Sequence, residues 1–89
     1  MASIRVHVDG ITAKVNKDVF SDFRTLGLFS KARKGDLCAV YDFTEAVFGA
    51  EQLSEIIDKL PASDVGTVFA FVSKCIEAAA ENQGEDVKN

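Results

Sequence analysis

The side chains able to do covalent or metal chemistry are few: Cys38, Cys75 and a single histidine, His7. The two cysteines lie 37 positions apart, and neither belongs to a Cys-x-x-Cys pair. A structural zinc site takes about four ligands at recognisable spacing, so the sequence supports none. Both thiols read as reduced, half-buried small apolar residues of a cytosolic protein. Carboxylates are plentiful, but most fall at predicted helix starts or on solvent faces. The stretch around Asp58 and Asp64 lacks the spacing of a calcium loop. No phosphate-cradling glycine loop, dinucleotide fingerprint or nucleophile elbow occurs. The sequence therefore reads as that of a non-enzyme, with no cofactor and no metal.

A chain of 89 residues with 47% hydrophobic and 27% charged side chains is one folded domain with room for one modest core. Seven phenylalanines and no tryptophan make Phe the main aromatic of that core. The net charge of −4 argues against general nucleic-acid binding, which needs a basic footprint to displace counterions. The opening residues lack the apolar run of a secretory leader. No apolar stretch approaches the roughly 18–20 residues that span a membrane.

The elements that would position these residues begin with a hairpin over 3–15. Ile4, Val6 and Val8 alternate with Arg5 and His7, and Ile11, Ala13 and Val15 alternate with Thr12 and Lys14. Asp9-Gly10 between them suits a type I′ turn, whose two central residues take positive φ. That loop length pairs Val8 with Ile11, Val6 with Ala13 and Ile4 with Val15, placing all six on one face. A lone hairpin is marginal in water, so it must pack on helices or pair with another chain.

Helical spacing governs residues 17–82. A helix over 17–34 is expected from an Asn16 cap, with Val19, Phe20, Phe23 and Leu26 inward, a bend at Gly27 and Gly35 past its end. Asp36 caps a broadly apolar second helix that Gly49 closes. Residues 50–60 form a short third helix stopped by Pro61. Ser63 caps a last helix over 64–82, whose stripe runs Val65, Val68, Phe69, Val72, Ile76 and Ala79, widened by Phe71 and Cys75. Residues 83–89 read as a polar, flexible tail. The fold class is α+β, mostly α: an N-terminal β-hairpin followed by about four helices packed as a small bundle, all in one domain over 1–89.

Charge is unevenly placed. Residues 1–34 hold seven basic and three acidic groups, and residues 35–89 hold three basic and 11 acidic groups. The split predicts weak, salt-sensitive self-association in which unlike surfaces meet. Lys31, Arg33 and Lys34 are the candidates on the basic side, and Glu51, Glu55 and Asp58 on the acidic side.

Order and motif together carry a resemblance. The hairpin is followed by Asn16-Lys17-Asp18-Val19-Phe20-Ser21-Asp22-Phe23-Arg24, then Lys31-Ala32-Arg33-Lys34-Gly35-Asp36, then Phe48-Gly49-Ala50-Glu51-Gln52-Leu53, and a last amphipathic helix. Over about residues 4–80 this resembles the tail assembly chaperones of long-tailed bacteriophages and prophages, especially those of Gram-positive hosts. The resemblance implies a non-catalytic protein of the bacterial host cytoplasm. Such a protein coats the tape measure protein until tail tube subunits enclose it and tends to self-associate; the absence of nucleic-acid and membrane partners is expected from the charge balance and hydropathy. The alternatives are a small protein–protein adaptor and a regulatory, antitoxin-like protein of phage or bacterial origin. The acidic balance and the lack of a basic recognition helix weigh against a DNA-reading regulator.

Overall fold

The computed structural model describes residues 3–88, with side chains placed for residues 3–81. An antiparallel hairpin is followed by four α-helices, so the chain is α+β and mostly α. Strands β1 (Ser3–Val8) and β2 (Ile11–Asn16) pair in the expected register, Val8 opposite Ile11, Val6 opposite Ala13 and Ile4 opposite Val15. Asp9 and Gly10 have φ of 53° and 81°, as a type I′ turn requires. Ile4, Val6, Ile11, Ala13 and Val15 are buried on one face, while Arg5, His7, Thr12 and Lys14 lie exposed on the other. His7 Nδ1 lies 3.0 Å from Thr12 Oγ1 across the outer face.

The segment after the hairpin departs from the single helix expected over 17–34. Asn16 does act as a cap, its Oδ1 accepting from the Asp18 N–H at 3.0 Å, but it caps only a short 3-10 turn, Lys17–Phe20. The chain then breaks and restarts as helix α1, Phe23–Arg33. The break is set by Asp22 rather than Gly27. Its Oδ2 accepts from both the Thr25 N–H, at 3.1 Å, and the Thr25 hydroxyl, at 2.8 Å. Such a side-chain cap competes with continued helix by satisfying amide donors that a longer helix would pair internally. The restart splits the expected stripe. Val19 and Phe20 pack on the core, whereas Phe23 is 83% and Leu26 56% exposed. Thr25 and Ala32 take the buried positions instead.

Gly35, at φ 99°, turns the chain from α1 into α2 (Leu37–Phe48), whose Ala39 N–H donates to Asp36 Oδ1 at 3.2 Å. Gly49, at φ 84°, separates α2 from α3 (Ala50–Lys59). Leu60 is extended, as a residue before proline prefers. Helix α4 (Val65–Lys88) starts from Asp64, not from Ser63. Asp64 accepts from the Thr67 N–H at 3.0 Å and the Thr67 hydroxyl at 2.7 Å, repeating the Asp22–Thr25 arrangement. The carboxylate offers two oxygens and a charge that favours the helix N-terminus, so it prevails over the neighbouring hydroxyl. Helix α4 continues past the expected end at 82. The expected flexible tail, 83–89, lies outside the residues whose side chains are described.

Helix α4 packs along β1 and α2 along β2, so both cover the apolar face of the hairpin. Helix α1 packs on α2, and α3 closes the end beside α2 and β2. The centre of α4 in this core is Phe71, Val72, Cys75 and Ala79. Val68, Phe69 and Ile76 are only partly buried and Val65 is exposed, so the inward face lies to one side of the expected stripe. Aromatic pairs knit the elements together: Phe48 with Phe71 at 6.2 Å between ring centroids, and Phe29 with Phe43 at 5.0 Å and Phe69 at 6.5 Å. The two cysteines differ, and neither is half-buried as expected from sequence. Cys75 is wholly buried and Cys38 is exposed on α2, both as free thiols.

Candidate functional site

The caps fix how α2, α3 and the start of α4 meet, and a groove of about 130 Å³ opens where they converge. Leu37, Val40, Tyr41 and Thr44 line it from one side of α2, at the three-and-four spacing of a single helical face. Leu53 and Ile57 line it from α3, and Val65 and Val68 from α4. Leu37 is 63%, Tyr41 58% and Val65 48% exposed. Large apolar side chains clustered on a surface mark an interaction site more often than singly scattered ones. The hydroxyl of buried Thr44 donates to the Val40 carbonyl at 2.8 Å, which leaves an apolar floor.

The residues next in sequence to its lining carry one sign of charge. The charged residues adjacent in sequence to its lining are Asp36, Asp42, Glu45, Asp58 and Asp64, five acids and no base. Asp64 is held below the usual carboxylate range, chiefly by the hydrogen bonds from Thr67, so it is the charged form that caps α4. The lining itself supplies apolar contact and hydroxyls, a composition suited to an amphipathic helix laid in a groove.

A second, shallower cleft opens between β2, α2 and α3. Lys14, Glu45, Glu51, Gln52 and Glu55 contribute to its walls. The six charged candidates read from sequence all stand exposed. Lys31 and Arg33 fill the last turn of α1 and Lys34 is its C-cap, with the Arg33 guanidinium 5.8 Å from the Phe29 ring centroid. Glu51 and Glu55 meet at the second cleft, while Asp58 lies farther along α3 and outside its lining. Among the described residues no ion pair joins the basic set to the acidic set; Lys74 Nζ instead pairs with Asp9 Oδ2 at 3.2 Å.

The apolar density over 40–48 and 65–76 allows, from sequence, either stripes facing each other in the core or a groove for a partner helix; Leu37, Val40 and Tyr41 carry the same periodicity as core residues, so the pattern alone does not choose. A signal for its α4 wall was available in Asp22-Phe23-Arg24-Thr25 and Asp64-Val65-Gly66-Thr67, where the same Asp-x-x-Thr spacing starts both helices. Cys75 has no part in either cleft. Burial first, and the charge of Asp9 second, push its thiol up to about 12. Comparison with family models, curated proteins and solved structures returns no match for this chain.

Proposed function

We propose that this protein is a non-catalytic tail assembly chaperone of a long-tailed phage or prophage, acting in the cytoplasm of the bacterial host. Its client is an apolar helical segment of the tape measure protein, held in the α2–α3–α4 groove. The observation that carries the reading is the cluster of Leu37, Tyr41 and Val65, three large apolar side chains exposed around an apolar floor. The resemblance over residues 4–80 supports the choice of client. The acidic balance adds to it, because a net negative coat keeps an aggregation-prone rod dispersed.

Co-expression with the tape measure protein tests the proposal. The chain is expected to raise the soluble yield of that protein and to co-purify with it. Leu37→Asp/Tyr41→Asp is expected to lose both effects while keeping the helical circular dichroism of the parent, because both sites are exposed. Equal capture by the double variant would exclude the groove, and no capture by the parent would exclude the client.

A further inference from the structure

A further cleft, of about 480 Å³, opens where the hairpin turn, the end of α3 and one face of α4 converge. Small-molecule pockets run from about 300 to 1,000 Å³ and combine apolar walls with a few charged or polar groups. Leu60, Pro61 and Phe71 supply apolar walls here. Lysines outnumber acids in the lining, the reverse of the cleft beside β2. They come from separate elements, Lys59 from the last turn of α3 and Lys74 from α4. The one acid of the lining is Asp9, and its Oδ2 is engaged by Lys74 Nζ at 3.2 Å. Among the described residues no carboxylate pairs with Lys59. The cleft shares no lining residue with the α2–α3–α4 groove.

We infer that this cleft binds a small carboxylic acid with an apolar body, of the fatty-acid type. Its carboxylate sits between Lys59 and Lys74, and its chain lies against Leu60 and Phe71. Asp9 already shows the head group in place, a carboxylate on Lys74. With Asp9 counted, the lining carries one net positive charge, which a monoanion neutralises. Two further acids stand just outside the lining: Asp58, next to Lys59 in the chain, and Asp64, held by Thr67. They disfavour a polyanion, so the ligand carries a single charge. Asp9 then competes with the ligand for Lys74. It lies in the turn at φ 53°, a conformation that asparagine also adopts, so its charge can be removed without disturbing the hairpin. This site does not depend on which client the groove takes.

Titration of the isotope-labelled chain with octanoate, followed by amide chemical shifts, tests this. Octanol and inorganic phosphate serve as the uncharged tail and the bare anion. Octanoate is expected to saturate shifts at Lys59, Ala70 and Lys74, and to bind more tightly than either control. Lys59→Gln and Lys74→Gln are each expected to weaken it by about two- to fivefold, the range of an exposed ion pair. Asp9→Asn is expected to tighten it, because Lys74 is released. Ala70→Trp, at an exposed position on the α4 wall, is expected to block the cleft with every charge intact. Circular dichroism checks that each variant is folded. No saturable shift, or shifts centred on Leu37 and Tyr41 of the groove, overturns the inference. Octanol binding as tightly as octanoate overturns the role of the lysines, and phosphate doing so overturns the role of the apolar walls. An Asp9→Asn chain that binds no more tightly than the parent, or an Ala70→Trp chain that binds equally well, also overturns it. Capture of the tape measure protein by the groove is a separate readout, so either reading can fail while the other stands.

Discussion

The Gln52 side chain pairs with the Lys14 main chain as a neighbouring strand would. Its Oε1 accepts from the Lys14 N–H at 2.8 Å and its Nε2 donates to the Lys14 carbonyl at 2.8 Å. The same nitrogen donates to the Phe48 carbonyl at 3.0 Å near the end of α2. One carboxamide therefore fastens the outer edge of β2 to the α2–α3 junction. It also occupies a main-chain pair that another strand would otherwise use.

Gln52→Leu removes both edge bonds and the bond to Phe48, and at about 0.5–1.5 kcal/mol net per hydrogen bond the loss is about 1.5–4.5 kcal/mol. For a domain of this size each 1 kcal/mol corresponds to about 4–8 °C in the melting midpoint. Thermal denaturation followed by circular dichroism reads the shift. Light scattering is expected to rise with concentration in the variant, because a β2 edge has been uncovered. An unchanged midpoint would mean the carboxamide only decorates that edge.

Gly10→Val is expected to cost about 1 kcal/mol or more, since a β-branched residue resists the φ of 81° held there. Urea unfolding measures it, and Gly10→Asn, which tolerates positive φ better, is expected to lie between the two.

Phe71→Ala and Phe69→Ala are expected to separate. Phe71 is buried against Phe48 and the hairpin, so its truncation costs about 3–5 kcal/mol. Phe69 is only partly buried, and its loss falls below that range. Equal destabilisation in urea titrations would place Phe69 in the core after all.

Acid is expected to loosen the start of α4. Hydrogen bonds from Thr67 lower the Asp64 pKa in the folded chain below its ordinary 3.8. The stability this contributes is therefore present above that value and is lost as pH falls through the folded one. Asp64→Asn, which keeps a capping oxygen without the charge, is expected to flatten this part of the decline. Melting midpoints from neutral pH down through the acid range compare the two chains.

Native thiol labelling is expected to stop at Cys38. The exposed thiol reacts, whereas Cys75 is enclosed and its thiolate is disfavoured up to about pH 12. Intact mass after labelling at neutral pH reads one adduct before denaturation and a second after it.

The hairpin was legible in full because alternation and Asp-Gly specify register and turn at once. The four-helix succession was legible for a similar reason: Asp36, Gly49 and Pro61 are strong local punctuation. The interruption at Asp22 was not, because Phe20, Phe23 and Leu26 keep an unbroken apolar rhythm across it. Phe23 and Leu26 were assigned inward on that rhythm, and the cap turned them out. Periodicity records which residues share a face but not whether that face meets the core. The same ambiguity left open which part of the apolar stripes forms a groove, because Leu37 and Tyr41 share a helix with buried Phe43 and Val47. The charged candidates were visible as exposed groups, yet their composition alone did not reveal the apolar surfaces beside them.

The first strand and the last helix are packing partners, and this places a condition on the order of events during synthesis. Ile4 and Val6 leave the ribosome long before α4, but β1 is covered by α4, whose buried residues run to Ala79. A nascent chain halted within α3 has a hairpin, α1 and α2 with half of its apolar face still wet. Completion of the core thus waits until α4 has been synthesised. Chains cut short inside α4 are expected to be the ones that proteases remove first.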